Sequence, residues 1–408
     1  MVVMKRDDPT RKFSAALFIL LHLTFIPYLR LKYRIRSENR QIFRTVKPPF
    51  ILLPNHVSLF DPPMVNIFVP HRVHFVMSDA NLRTPLARWA YGKLCNVIPK
   101  TKALSDSSAV RKIVQLVKKK RVICIFPEGR ASWDGVTHNI FFSTVKLLRL
   151  LKIPVIVPLI EGGYLSRPRW ATSVRSGRLI IRYKIIFDGP ELAEMTNEAV
   201  YERLIEELAH DDYQFQRRSG QTYPTKIGAE FLERLIFLCP SCKSRATMRS
   251  EGNRFFCKSC GFESQWTPEG YLRDVNGSEQ RRSVTEWVRR QSDDFDEFLR
   301  KRAASAPVAP IFRDPGVTLL VGYRDQPLRA LAAGVLSLWD DCFVLENGEQ
   351  RYEFPIAEIS GVQVLLANQF EFYHQNSAYK FKFADPRTSG YKYLLYVQKT
   401  APQSAELD

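Results

Sequence analysis

The sequence predicts an α/β fold with a largely parallel sheet flanked by helices, followed by a small four-cysteine unit and an all-β C-terminal domain. Three observations carry that expectation. From residue 50 to about 187, short β-branched runs alternate with stretches of helical spacing, the pattern of a parallel sheet covered by helices. Four of the seven cysteines then fall in two C-x-x-C pairs. From about residue 307, short strand-like runs follow one another. At 408 residues the chain is long enough for two or three domains, each with its own core.

Residues 1–36 are read as a membrane-associating helix and a basic strand. Phe13 to Leu29 is an apolar stretch of 17 residues interrupted by Ser14, His22, Thr24, Pro27 and Tyr28. That is short of the roughly 20 residues of a comfortable spanning helix. Flanking basic residues fit a helix lying in one leaflet, with a buried core helix as the alternative. No small-residue cleavage site follows it, which argues against a signal peptide. Leu29 to Arg36 alternates Leu29, Leu31, Tyr33 and Ile35 with Arg30, Lys32, Arg34 and Arg36, the period of a half-buried strand with a cationic face.

Residues 37–230 hold the α/β layers. Strands are expected at Phe50 to Leu53, His74 to Met77, Asn96 to Pro99, Val122 to Phe126, Pro154 to Leu159 and Leu179 to Phe187. Helices are expected at Pro62 to Phe68, Pro85 to Lys93, Asp106 to Lys120 and Asn139 to Leu151, with an outer helix over Pro190 to Leu208. Residues 231–275 form the cysteine unit and 276–306 a helical linker. Residues 307–400 form the β-rich domain, whose last strand is expected at Tyr391 to Val397, and 401–408 a tail. Asn347-Gly348 marks one hairpin turn in that domain.

The net charge of +18 is unevenly placed. Residues 1–230 hold 37 Lys and Arg against 19 Asp and Glu, whereas residues 231–408 hold 23 of each. Such a bias points to an anionic partner, whether lipid, phosphate-bearing substrate or nucleic acid, with a solvated surface as the plain alternative. Cys95, Cys124 and Cys342 stand alone, so the cysteines do not form a secreted disulfide framework.

The chemistry centres on Pro54-Asn55-His56-Val57-Ser58-Leu59-Phe60-Asp61, on a strand-to-helix crossover where open α/β sheets place ligands. A histidine can remove a proton from an alcohol while a carboxylate on its other ring nitrogen fixes the tautomer. No G-x-S-x-G elbow is present, so the activated hydroxyl belongs more naturally to a substrate. A second element, Phe126-Pro127-Glu128-Gly129-Arg130, ends another buried-type strand. Its glycine admits a ligand close to the backbone, and its arginine offers a planar fork to a phosphate.

His56 with Asp61, followed some 70 residues later by Phe126-Pro127-Glu128-Gly129, resembles the H-x4-D and F-P-E-G motifs of the glycerolipid (lysophosphatidate-type) acyltransferase family. Val97-Ile98-Pro99-Lys100 and Val157-Pro158 match two softer family features, and the resemblance covers roughly residues 10–215. It implies acyl transfer from acyl-CoA or acyl carrier protein to the glycerol hydroxyl of a lysophospholipid, with no catalytic metal. His56 would be the general base and Asp61 its orienting partner. Glu128, Gly129, Arg130 and Lys100 would bind the acceptor. Many relatives have Thr-Arg-Ser after the glycine where this chain has Arg130-Ala131-Ser132, which leaves the acceptor headgroup open. The resemblance also implies a membrane-associated protein at a cytoplasmic face, working against an anionic bilayer surface.

Cys239 and Cys242, then fourteen residues, then Cys257 and Cys260 resemble a zinc ribbon, whose four thiolates close a structural tetrahedral site. The basic bias around these knuckles is too mild to argue for nucleic acid. The β-rich domain resembles pleckstrin-homology-like or GRAM-like domains, which implies a phospholipid or protein partner; a β-sandwich serving dimerisation is the alternative. Against the enzyme reading stands a non-catalytic, zinc-containing membrane or nucleic-acid adaptor built on an inert acyltransferase fold. The cationic excess around His56 favours the enzyme.

Overall fold

The computed structural model describes residues 20, 23–58, 60–94, 97–101, 107–275, 281–305 and 308–400. Most of the expected Phe13 to Leu29 helix, the first part of the linker and the tail lie outside the described residues.

Seven strands make the first sheet: β1 (Arg36–Glu38), β2 (Ile51–Leu52), β3 (Val73–Ser78), β4 (Ile98–Lys100), β5 (Val122–Cys124), β6 (Val155–Glu161) and β7 (Ile180–Phe187). Their order is β1-β7-β6-β2-β5-β3-β4. The block from β6 to β4 is parallel, and only the β6/β7 pair is antiparallel. Ile51, Leu52, Val122, Ile123 and Cys124 are fully buried, as central parallel strands covered on both faces must be. Helices Ser107–Lys118 and Ser143–Leu151 cover the sheet by turning Ala109, Ile113 and Leu116, and Val145 and Leu148, inward at helical spacing.

Three expectations are corrected. Leu29 to Arg36 is not one strand: a helix spans Phe25–Lys32, and β1 begins only at Arg36. Ile26, Leu29 and Tyr33 are buried at helical spacing, whereas Leu31, which a strand would bury beside Leu29, is 80% exposed. Tyr391 to Val397 is likewise helical, in Tyr391–Thr400. All seven of those residues are buried, so aromatic and β-branched composition misled the strand reading. The C-terminal region is therefore a β-sheet closed by one helix. The outer helix over Pro190 to Leu208 is divided into Pro190–Ala193 and Asn197–Leu208, the second capped by the Thr196 side chain.

The cysteine unit carries a five-stranded antiparallel sheet, β8 (Met248–Glu251), β9 (Arg254–Cys257), β10 (Glu263–Trp266), β11 (Leu272–Asp274) and β12 (Arg281–Arg282). Helix Val284–Ala303 follows, opened by a reciprocal cap between Ser283 and Glu286. The third sheet holds β13 (Phe312–Gly322), β14 (Arg329–Leu338), β15 (Cys342–Glu346), β16 (Arg351–Pro355), β17 (Ser360–Leu365), β18 (Gln369–His374) and β19 (Ser377–Phe383). It is antiparallel throughout, in the order β16-β15-β14-β13-β19-β18-β17.

One apolar cluster runs through all three regions. Trp170 meets Trp266 at 5.8 Å, Phe237 meets Phe295 at 5.5 Å and Phe312 at 5.6 Å, and Trp133 meets Tyr391 at 5.0 Å between ring centroids. The C-terminal helix is thereby packed against the segment that follows β5.

Candidate active site and metal centre

β2 and β5 are hydrogen-bonded neighbours, with Ile51 opposite Ile123 and Leu52 opposite Cys124. The loop holding His56 and the turn holding Glu128 leave the same carboxyl edge, which is how two motifs distant in sequence meet. His56 Nδ1 lies 2.8 Å from Asp61 Oδ2. The Asp61 carboxylate also accepts from Val57 N at 2.7 Å, Ser58 N at 2.9 Å and Ser58 Oγ at 2.9 Å. Asp61 is the first residue of helix Asp61–Asn66 rather than its N-cap, and its side chain instead ties down the preceding loop. The His56 side chain is 17% exposed and Asp61 fully buried. Among the described residues nothing hydrogen-bonds His56 Nε2, so that nitrogen is available to a substrate proton. The Phe126 ring covers the imidazole at 4.3 Å between centroids.

The Glu128 carboxylate accepts from the backbone N–H of His56 at 2.7 Å and of His138 at 3.3 Å. Burial raises this carboxyl to about 7, against the opposing pull of both hydrogen bonds. Placed so, Glu128 fixes the backbone of the dyad. Ser132 N donates to His56 O at 2.8 Å, and the Asn55 amide bonds both backbone atoms of Ile160, at 3.0 and 2.7 Å. The dyad loop is thus held on two sides. Gly129 has φ +66°, and a Cβ there would stand 2.4 Å from the Phe141 ring, so the turn requires glycine.

Arg130 is half-buried, and both its terminal nitrogens face the Gln398 amide, whose oxygen accepts from both when the amide is turned toward them. Arg169 donates to Ala131 O at 2.9 Å and also to Val364 O, and lies 4.4 Å over the Trp133 ring. Burial lowers the Arg169 pKa, and the charge of Arg130 lowers it further. His138 Nε2 is 2.8 Å from Asp134 Oδ1, a contact that raises the histidine pKa, while Arg130 pulls it down. Arg130, Arg169 and His138 therefore share one field beside Glu128, a setting that attracts an anion. Of these, Arg169, His138 and Gln398 escaped the sequence reading, because no local spacing ties them to the motifs. Lys100 ends β4 at the same carboxyl edge, opposite Ser78 and beyond β3.

The dyad and the turn after β5 thus lie side by side at the carboxyl edge of one α/β sheet. Residues 34–160 match the family model described as Acyltransferase. Among solved structures, the chain is similar to the 1-acyl-sn-glycerophosphate (LPA) acyltransferase PlsC from Thermotoga maritima. The likeness has 20% identity and a TM-score of 0.36, covering 47% of this chain and 82% of that one.

The sulfurs of Cys239, Cys242, Cys257 and Cys260 all lie within 4.8 Å of one another. Cys239 is 3.6 Å from Cys260, and Cys242 is 3.8 Å from Cys257. Thiolates at about 2.3 Å from a tetrahedral ion stand about 3.8 Å apart, so the four fit zinc. Among the described residues no helix is long and apolar enough to cross a membrane.

Proposed function

We propose that the chain transfers an acyl group from acyl-CoA or acyl carrier protein to the free glycerol hydroxyl of a lysophospholipid such as 1-acylglycerol 3-phosphate. The observation that carries this reading is the Nδ1 contact of His56 with a fully buried Asp61, which leaves Nε2 available at the strand edge that also carries the Glu128–Arg130 turn. Nε2 removes the hydroxyl proton as the alcohol oxygen bonds to the thioester carbonyl carbon. The tetrahedral intermediate then collapses, the carbon–sulfur bond breaks, and the imidazolium returns its proton to the leaving thiolate. Asp61 holds the tautomer and stabilises the transient imidazolium. Arg130, with Arg169 and His138 behind it, receives the acceptor's phosphate, and Lys100 adds charge at the far side of the edge.

Zinc at the four cysteines would be structural, holding the knuckles against helix Val284–Ala303. The helix Phe25–Lys32 supports association with a membrane surface; the cytoplasmic face is part of the proposal. Leu23, Tyr28 and Leu31 are exposed beside Arg30 and Lys32, the composition of an interfacial helix. Seven antiparallel strands closed by a C-terminal helix also suit the pleckstrin-homology-like resemblance.

The test is an assay of the detergent-solubilised protein with labelled acyl-CoA and acyl carrier protein against a panel of lysophospholipids and glycerol 3-phosphate. Transfer to a phosphate-bearing acceptor that disappears in His56→Ala is expected. No donor and acceptor pair turning over above that variant would leave the inert adaptor as the reading.

A further inference from the structure

A basic pocket opens between the first cysteine knuckle and the start of β13. Its cavity is about 370 Å³, with Lys243, Ser244 and Arg245 on one wall, Phe312 and Arg313 on another, and Lys392 among its lining residues. Among the described lining residues there is no carboxylate. Two of the four cations are compensated from outside the cavity: Lys243 by Asp294, and Lys392 by Asp314 at 2.6 Å. Arg245 lies 4.1 Å over the Phe298 ring, and among the described residues neither it nor the exposed Arg313 has a carboxylate within salt-bridge distance. The Lys392 side chain is only 2% exposed. Behind Arg245 lies Arg302, itself paired with Asp340 at 2.7 Å, and behind Lys392 lies Arg249.

Cations drawn together around a cavity repel one another, and partial burial removes the water that would screen them. Such an arrangement is relieved by an anion. Two guanidinium groups and two ammonium groups supply planar and rotatable donors to phosphate oxygens, while Phe312 offers an apolar wall to whatever carries the phosphate. The volume falls within the range of small-molecule sites. None of the lining residues belongs to the dyad loop or to the turn after β5.

We propose that this pocket is a second anion site that binds a phosphate-bearing group, separate from the acceptor site. A soluble phosphate compound and a lipid headgroup present the same chemistry to it, so the test has two arms. Calorimetry of the full, zinc-loaded chain uses inorganic tripolyphosphate, and flotation uses phosphatidylcholine vesicles containing phosphatidic acid. The variants are Arg313→Glu, a surface change that removes no packing, the double variant R245A/R313A, and Arg130→Ala. Zinc content and melting temperature check that each remains folded.

Binding that weakens about tenfold or more in R313E and in the double variant, but not in R130A, is expected from the loss of charge-assisted hydrogen bonds. A response in the calorimetric arm assigns a soluble ligand, and one in flotation alone assigns a bilayer headgroup. The proposal is overturned if the wild type binds in neither arm. It is equally overturned if R313E and the double variant bind like the wild type, or if only R130A loses binding.

Discussion

The Gln398 side-chain amide faces both terminal nitrogens of Arg130 at 2.6 and 2.7 Å, an arrangement that is satisfied when the amide is turned so that its oxygen accepts from both. A residue of the last helix thereby orients the guanidinium that follows the F-P-E-G turn. Gln398→Ala is expected to raise the KM of the phosphate-bearing acceptor about five- to tenfold, the worth of about one ordinary hydrogen bond, since the substitution acts through the position of Arg130. The KM of the acyl donor and kcat should stay within about twofold, since the dyad is untouched. Initial rates with each substrate varied separately make the check, and an unchanged acceptor KM would show that Arg130 holds its place without Gln398.

Asp61 accepts from four donors: His56 Nδ1, Val57 N, Ser58 N and Ser58 Oγ. Asparagine offers one oxygen and turns an amide donor toward the rest, disturbing both the histidine tautomer and the loop. Asp61→Asn should lower kcat by about a thousandfold or more, with a smaller change in acceptor KM. A kcat within about tenfold of wild type would remove Asp61 from the proton-transfer unit.

Glu128 gives a pH signature. Its carboxyl rises from an ordinary value of 4.5 to about 7 on folding, chiefly through burial. Between those values the folded state holds more protons than the unfolded state, so stability falls as pH rises across the window. The neutral form's advantage is full below about 4.5 and spent above about 7, a swing of up to about 3 kcal/mol. Urea unfolding of the wild type and of Glu128→Gln across that window should give curves whose difference slopes with pH. A pH-independent difference would mean that folding leaves the Glu128 pKa unshifted.

Truncation through Leu29 would remove Ile26 and Leu29, which are buried, and so would confuse membrane binding with folding. The surface to change is Leu23, Tyr28 and Leu31, exposed by 72%, 52% and 80%. Replacing all three with serine should cut binding to anionic vesicles about tenfold or more, since each buried apolar side chain contributes about 1.5 kcal/mol or more. The melting temperature should hold. Retained vesicle binding would shift the anchor to another surface.

Chelation probes the four-cysteine unit. Cys239 and Cys257 belong to the same apolar cluster as Phe237, Phe295 and Trp133. If the four cysteines hold a structural zinc, as proposed, removing it should lower the melting temperature of the whole chain and reduce acyl transfer with it. Metal analysis giving well under about half an equivalent in native protein would count against the four-thiolate site.

Much of the first sheet was legible because β2 and β5 are buried on both faces, which forces continuous apolar runs at Phe50 to Leu53 and Val122 to Phe126. Leu29 to Arg36 misled because its alternation fits a strand, while only packing decides that Leu29 is buried and Leu31 exposed. In Tyr391 to Val397 the surrounding sheet buries every residue, which erases periodicity. The residues near the dyad divide in the same way. His56, Asp61 and Glu128 sit in two short motifs, and the parallel pairing of β2 with β5 brings those motifs together. Arg169, His138 and Gln398 arrive through tertiary packing alone, which no spacing along the chain records.

The contact between Trp133 and Tyr391, together with that between Arg130 and Gln398, bears on the order in which the enzyme is made. A ribosome delivers the dyad and the turn after β5 long before the final helix, so early domains can begin to fold while the rest is still being translated. The phosphate-reading side would gain its fixed shape only when Tyr391–Thr400 has emerged and docked. On the proposed reading, a nascent chain would hold His56 and Asp61 in register and still lack selectivity for its acceptor.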